Sequence, residues 1–222
     1  MRSLVLTALI LLPGLAFAGE SQVVIAVGYM PTVPPVRIQA RADYVAVPIT
    51  IQSDAKDALK RIDQVEQALR TISDRSKQHS DFAIRSGVVS LSPRDAPKSF
   101  GSSYEAPGSS VHLYVLAMLK PEATVFALTK RIHQMLAAPL PETVRLIVGT
   151  TTLGMNEPER FRPQLLGMIA KSVTDARKVL GGNGLVEVDG LENPVGVMQL
   201  NESEVLLFVN HHVRIQIRND VR

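Results

Sequence analysis

The chain has 222 residues, 45% of them hydrophobic and 20% charged, with a formal net charge of +3 and no cysteine. That balance excludes a disulfide framework and a lipid-modified cysteine, and it is neither acidic nor basic enough to mark a polyanion partner. A chain of this size buries roughly 70% of the surface it exposes when unfolded, so one cysteine-free domain is expected to hold itself together by its core.

The first eighteen residues read as a secretory leader. Arg2 precedes an apolar run from Leu4 to Leu15, and Ala16-Phe17-Ala18 supplies a small-x-small cleavage site, placing the cut between Ala18 and Gly19. The run is too short to cross a hydrocarbon core, which needs about 20 apolar residues, and no later segment is long enough either. A periplasmic or secreted bacterial protein is expected, with no stable membrane insertion of the mature chain. Residues 19–42 are expected to be largely extended, since Pro31, Pro34 and Pro35 forbid a helix, with a short strand at Val23 to Val27.

A strand is expected from Asp43 to Gln52, where Val45, Val47, Ile49 and Ile51 recur at period two. Pro48 cannot donate a ladder hydrogen bond, which predicts a sheet edge or a bulge. From Asp54 to Ser76 the spacing of Ala55, Ala58, Leu59, Ile62, Val65, Leu69 and Ile72 predicts an amphipathic helix. A strand follows from Phe82 to Leu91. Residues 93–110, rich in proline, glycine and serine, read as a long loop that displays Phe100 and Tyr104. Val111 to Leu119 is apolar on both faces and reads as a covered central strand. Pro121 suits the first turn of a helix carrying Val125, Phe126, Leu128, Ile132, Met135 and Leu136, and Val144 to Leu153 returns as a strand. A third helix spans Phe161 to Leu180, with Gly181-Gly182 as its stop. Strands at Leu185 to Val188 and Glu204 to Ile217 close the chain, joined by a turn-rich segment near Asn193-Pro194. The fold class is therefore α/β in the α+β sense, with a split βαβ core in the order β-α-β-β-α-β, then a helix and two strands.

Three stretches carry a family resemblance. Ala42-Asp43-Tyr44-Val45-Ala46-Val47, Asp54-Ala55-Lys56-Asp57-Ala58-Leu59 and Ser86-Gly87-Val88-Val89-Ser90-Leu91-Ser92-Pro93 resemble the first half of the SIMPL domain, also called DUF541, and Ala176 to Val188 resembles its second half. The resemblance runs from about residue 22 to 218, so residues 43–218 are read as a SIMPL-like domain. It implies an exported bacterial envelope protein, in a family where some members assemble into rings or tubes and some are linked to oxidative stress. It brings no catalytic residues with it.

The remaining side chains form no recognisable chemical constellation. His211 and His212 are adjacent on the expected last strand and so face opposite ways, with His211 sharing the face of Val205, Leu207 and Val209. His79, His112 and His133 fall on separate elements without a metal-binding spacing. Gly181-Gly182-Asn183-Gly184 lacks the Lys-Ser/Thr of a phosphate loop, and Glu202 with Glu204 does not establish a two-carboxylate cleft. Asn201-Glu202-Ser203 fits a glycosylation acceptor pattern. Scattered basic residues interleaved with Asp54, Asp57, Asp63 and Asp74 describe a solvated helix face, not a nucleic-acid footprint. No cofactor, metal site or catalytic residue is expected. The chain is read as a homo-oligomer acting through assembly or binding, with Phe100, Tyr104, Leu206 and Phe208 as interface candidates. Two alternatives are a small-ligand binder using the 93–110 loop and an enzyme built on His112, His211 or the glutamates.

Overall fold

The computed structural model describes residues 22–27, 34–91, 108–137, 139–180 and 185–216. In chain order the elements are β1 (Val23–Ile25), β2 (Ile38–Arg41), β3 (Tyr44–Ser53), α1 (Ala58–Ser76), β4 (Phe82–Ser90), β5 (Ser109–Met118), α2 (Val125–Leu136), β6 (Val144–Val148), β7 (Thr152–Asn156), α3 (Arg162–Val179), β8 (Leu185–Asp189), β9 (Val195–Gln199), β10 (Glu204–Val209) and β11 (His212–Gln216). The chain is of mixed helix and strand, as its pattern predicts.

β3 is the centre of the larger sheet. Its period-two residues Val45, Val47, Ile49 and Ile51 are almost fully buried, and they meet Val65, Ala68 and Ile72 of α1 and Leu128 and Ile132 of α2. β5 pairs antiparallel with β3 from Tyr44↔Met118 to Ser53↔Ser109, and β4 pairs antiparallel with the other edge of β5. β3 and β4 are thus parallel with β5 inserted between them, and β5 and β6 are parallel with β3 between them. This is the split βαβ connectivity that the element order implied.

Pro48 lies in the middle of this sheet, which corrects the expected edge position. The β3 edge away from β5 is shared by two strands, β6 opposite Ile49 to Ser53 and β7 opposite Tyr44 to Ala46. Pro48 falls at the break between them, where a missing N–H leaves no ladder bond unmade. Its carbonyl accepts the Gly149 N–H at 2.8 Å, and a Cβ at Gly149 would come 2.8 Å from Pro48 Cγ. The single strand expected from Val144 to Leu153 is accordingly two strands turning at Gly149.

Helix boundaries also differ from the pattern. α1 starts at Ala58 because Asp57 caps it, accepting the Lys60 N–H at 2.7 Å. Its buried face is Ala58, Arg61, Val65, Ala68 and Ile72, while Leu59 is 73% exposed. Arg61 takes an inward position because its Nη1 donates to the carbonyls of Ala55 and Lys56 at 2.8 and 3.0 Å, closing the turn that leads into the helix. α2 starts at Val125 behind a Thr124 cap, so Pro121 stands in the preceding turn and not in the helix. α3 buries Leu165 and Ile169, whereas Leu180 is exposed. The glycines at 181 and 182, like residues 93–107, lie outside the described residues.

A second sheet, ordered β2-β10-β9, includes strands absent from the sequence reading at Ile38–Arg41 and Val195–Gln199. The chain passes from β2 directly into β3. The N-terminal strand β1, expected from the sequence, pairs with β7, and Val27 then bridges to Met198 of β9, fastening the two sheets together. Val205, Leu207 and Val209 join the main core, while Leu206, Phe208 and Met198 form a cluster on the other face. Gly196 stands opposite Phe208, and a Cβ there would lie 2.7 Å from the ring. The long final strand expected from Glu204 is interrupted after Val209, and its continuation β11 pairs with β8 in a separate ribbon.

Gly196→Val forces the Phe208 ring off its neighbour and is expected to cost about 1–3 kcal/mol, the usual penalty for overpacking a filled site. Urea unfolding reads this as a lower midpoint at unchanged slope. A midpoint equal to that of the parent contradicts the packing described.

Candidate functional site

The histidines do not converge. His112 Nδ1 lies 2.8 Å from the Thr50 hydroxyl across β3 and β5, and His79 packs on Phe82 with ring centroids 4.7 Å apart. His211 is not on a strand face with Val205 and Leu207. It sits in the break between β10 and β11, with Nδ1 2.8 Å from the Val209 carbonyl. Among the described residues no three His, Asp or Glu side chains gather at one point. Glu204 accepts Asn201 Nδ2 at 2.6 Å, while Asn201 Oδ1 accepts the N–H groups of Ser203 and Glu204, so both side chains shape the turn into β10. Hydrogen bonds from Gln39 and Asn201 hold the Glu204 carboxyl below its ordinary range.

The interface candidates divide. Leu206 and Phe208 are only 6% and 4% exposed, buried with Met198 inside the chain, so they offer no surface to a partner. The strand they occupy is covered on both faces by its own chain, which the alternation alone did not disclose. Phe100, Tyr104, Ala18 and Gly19 lie outside the described residues.

Exposed apolar surface appears elsewhere, on the β8–β11 ribbon. Val186↔Ile215 and Val188↔Val213 are direct cross-strand partners, so one face of the ribbon carries four β-branched side chains. Val213 is 40% exposed, and of the four only Val188 packs on the main core. The other face is mainly polar, with Glu187 and Asp189 opposite Arg214 and His212. A tight clamp fixes the base of the ribbon. Arg162 is paired with Glu159 and donates to the carbonyls of Leu191 and Asn193 at 2.8 and 2.7 Å, while Glu159 Oε1 accepts the Val195 N–H at 2.8 Å. Asn193 Nδ2 in turn donates to the Asn210 carbonyl at 2.7 Å, and Gly190 supplies the turn with φ of 83°. The helix-free face of the large sheet adds Ile147 and Met118, at 54% and 44% exposure.

Of several concave sites among the described residues, one lies where three strands meet. Asp43, Tyr44, Met118, Leu119, Lys120, Pro121, Asn156 and Arg160 surround a cleft of roughly 320 Å³ at the start of β3, beside the ends of β5 and β7. Asp43 Oδ2 accepts the Asn156 N–H at 2.8 Å and stands 3.6 Å from Arg160 Nη2. Arg160 lies over the Phe161 ring, 5.1 Å from its centroid. Glu157, with φ of 46°, is the only non-glycine residue with positive φ among those described, and it turns the chain from β7 into the short 3-10 segment Pro158–Phe161 that carries Arg160. Sequence reading missed this cleft because its residues come from distant segments with no motif among them.

Scanning against protein-family models gives no match for this chain, and comparison with curated proteins gives none. Among the described residues no helix is long and apolar enough to cross a membrane.

Two buttressed carboxylates set the acid response. Arg131 donates to both oxygens of Asp81 at 2.6 and 3.0 Å and lowers its pKa, and the Arg162 bond does the same for Glu159. Each carboxyl binds its proton more weakly in the folded chain than in the unfolded one. The stability it adds is therefore complete above the ordinary carboxylate range and is lost as pH falls through that range toward the lowered folded value. Melting temperature is expected to fall between roughly pH 5 and pH 3, and to fall less steeply in Arg131→Met, where Asp81 loses the bond that lowers its pKa. Identical acid profiles for parent and variant would contradict the assignment.

Proposed function

We propose that this chain is an exported protein of the bacterial envelope, of SIMPL type, that works by self-association and not by catalysis. The observation that carries the reading is the β8–β11 ribbon. A two-stranded ribbon is marginal in water by itself, and one with a β-branched, partly exposed face gains most from a surface that covers it. A second copy of the chain supplies that cover in a contact that either closes on itself or repeats around a ring. The leader pattern through Ala18 supports export, and the split βαβ connectivity followed by a helix and further strands is compatible with the SIMPL resemblance. The engagement of His112, His211 and Glu204 in local hydrogen bonds favours assembly over an active site built on them. A role in envelope or oxidative stress follows from the resemblance alone.

Light scattering on the chain from Gly19 onward is expected to give a mass of at least two copies. Val186→Thr with Val213→Thr keeps the strand preference but makes the face more polar, and it is expected to shift the balance toward monomer. A monomer mass across about a hundredfold range of concentration, wide enough to reveal micromolar contacts, would reject self-association.

Export is checked separately. Mass spectrometry of protein recovered from the envelope is expected to show a chain beginning at or beside Gly19. A mass that retains Met1 to Ala18 argues against cleavage.

A further inference from the structure

The cleft between β3, β5 and Arg160 sets two cations, Lys120 and Arg160, beside the Asp43 carboxylate, with only a long ion pair between Arg160 and Asp43. The Lys120 ammonium is exposed and makes no hydrogen bond or ion pair with the described residues. Arg160 is 49% exposed. Its Nη2 stands 3.6 Å from Asp43 Oδ2 and 3.7 Å from Met155 Sδ, so its guanidinium has no short bond to a carboxylate. On the acceptor side, Asp43 uses Oδ2 for the Asn156 N–H, while its Oδ1 has no hydrogen-bond partner among the described residues. Apolar lining comes from Met118, Leu119, Pro121 and the Tyr44 ring.

We propose that this cleft binds a free α-amino acid with an apolar side chain. The ligand's ammonium meets Asp43 Oδ1, its carboxylate meets Lys120 and Arg160, and its side chain lies on Met118 and Pro121. A simple carboxylate satisfies the cations but leaves Asp43 Oδ1 without a donor. A phosphate brings a second negative charge against Asp43. The volume of roughly 320 Å³ lies at the small end of ligand sites, on the scale of an amino acid and well below that of a nucleotide. This site is distinct from the ribbon, so binding here and self-association succeed or fail independently.

Isothermal titration calorimetry on the mature chain, with L-leucine, L-methionine and L-phenylalanine as probes, tests the proposal. At least one is expected to bind saturably at neutral pH. For leucine, the deaminated acid isocaproate and the decarboxylated amine isoamylamine are each expected to bind at least about tenfold more weakly, since each loses one set of charge-assisted bonds. Lys120→Gln is expected to weaken the amino acid by a similar factor with a melting temperature close to the parent's, because this side chain is exposed and its charge is the smallest of the influences on Asp81. Asp43→Asn should abolish the preference for leucine over isocaproate. Should that variant fold poorly, Lys120→Gln and the ligand series still decide the question. No heat from any of the three amino acids at about 10 mM, weaker than any affinity that calorimetry resolves well, overturns the proposal. Equal affinity for isocaproate and leucine in the parent chain also overturns it.

Discussion

Every other part of the structure is referred to β3, a ten-residue strand paired along both edges and buried on its helix-facing side. A strand in that position must present an unbroken row of apolar side chains to the helices, and Val45, Val47, Ile49 and Ile51 do so with almost no exposure. Each such side chain stabilises the fold by about 1.5–3 kcal/mol when fully buried, which makes this one row a large share of a margin of about 5–15 kcal/mol. The same strand must also tolerate a proline. It does so by splitting its far neighbour into β6 and β7, and β7 then pairs with β3 on one edge and with β1 on the other, from whose end Val27 bridges to Met198 of the second sheet.

Polar groups set the junctions that the apolar core cannot specify. At the entry to α1, buried Arg61 closes the backbone turn while Ser53 donates to Gln64 at 2.7 Å and Thr143 donates to the same oxygen at 2.8 Å, locking helix, central strand and β6 in one register. At the other end of the molecule the Glu159 and Arg162 pair holds the loop from which the ribbon springs. Both fix where exposed surfaces lie, and the two surfaces with functional potential, the ribbon and the cleft, are each positioned by such a junction or by the left-handed residue Glu157.

The proposed self-association and the proposed ligand capture would draw on different chemistry. The ribbon offers β-branched side chains without charge, a surface suited to a copy of itself, whereas the cleft combines cations, a carboxylate and an apolar wall within a small volume. An envelope protein that used both would sense a small molecule at one end of its central strand and assemble through a ribbon on its other half.

Local periodicity was enough to identify β3, α1, α2, α3 and the order of the split βαβ core, because a half-buried element must repeat its apolar residues at the period of its own geometry. The short N-terminal strand was legible for similar local reasons. Three kinds of feature were decided only by tertiary structure. Leu206 and Phe208 look like spare apolar surface in the sequence, yet Met198 and the space above Gly196 bury them, and that partner is known only once β9 is paired. The strands read as continuous at Gly149 and at Asn210-His211 are broken, because pairing with different neighbours ends a strand where apolar pattern alone would carry it on. The cleft is the clearest case: Asp43, Lys120 and the segment holding Asn156 and Arg160 are far apart along the chain, and charges become a site only when antiparallel pairing brings the start of one strand beside the ends of two others.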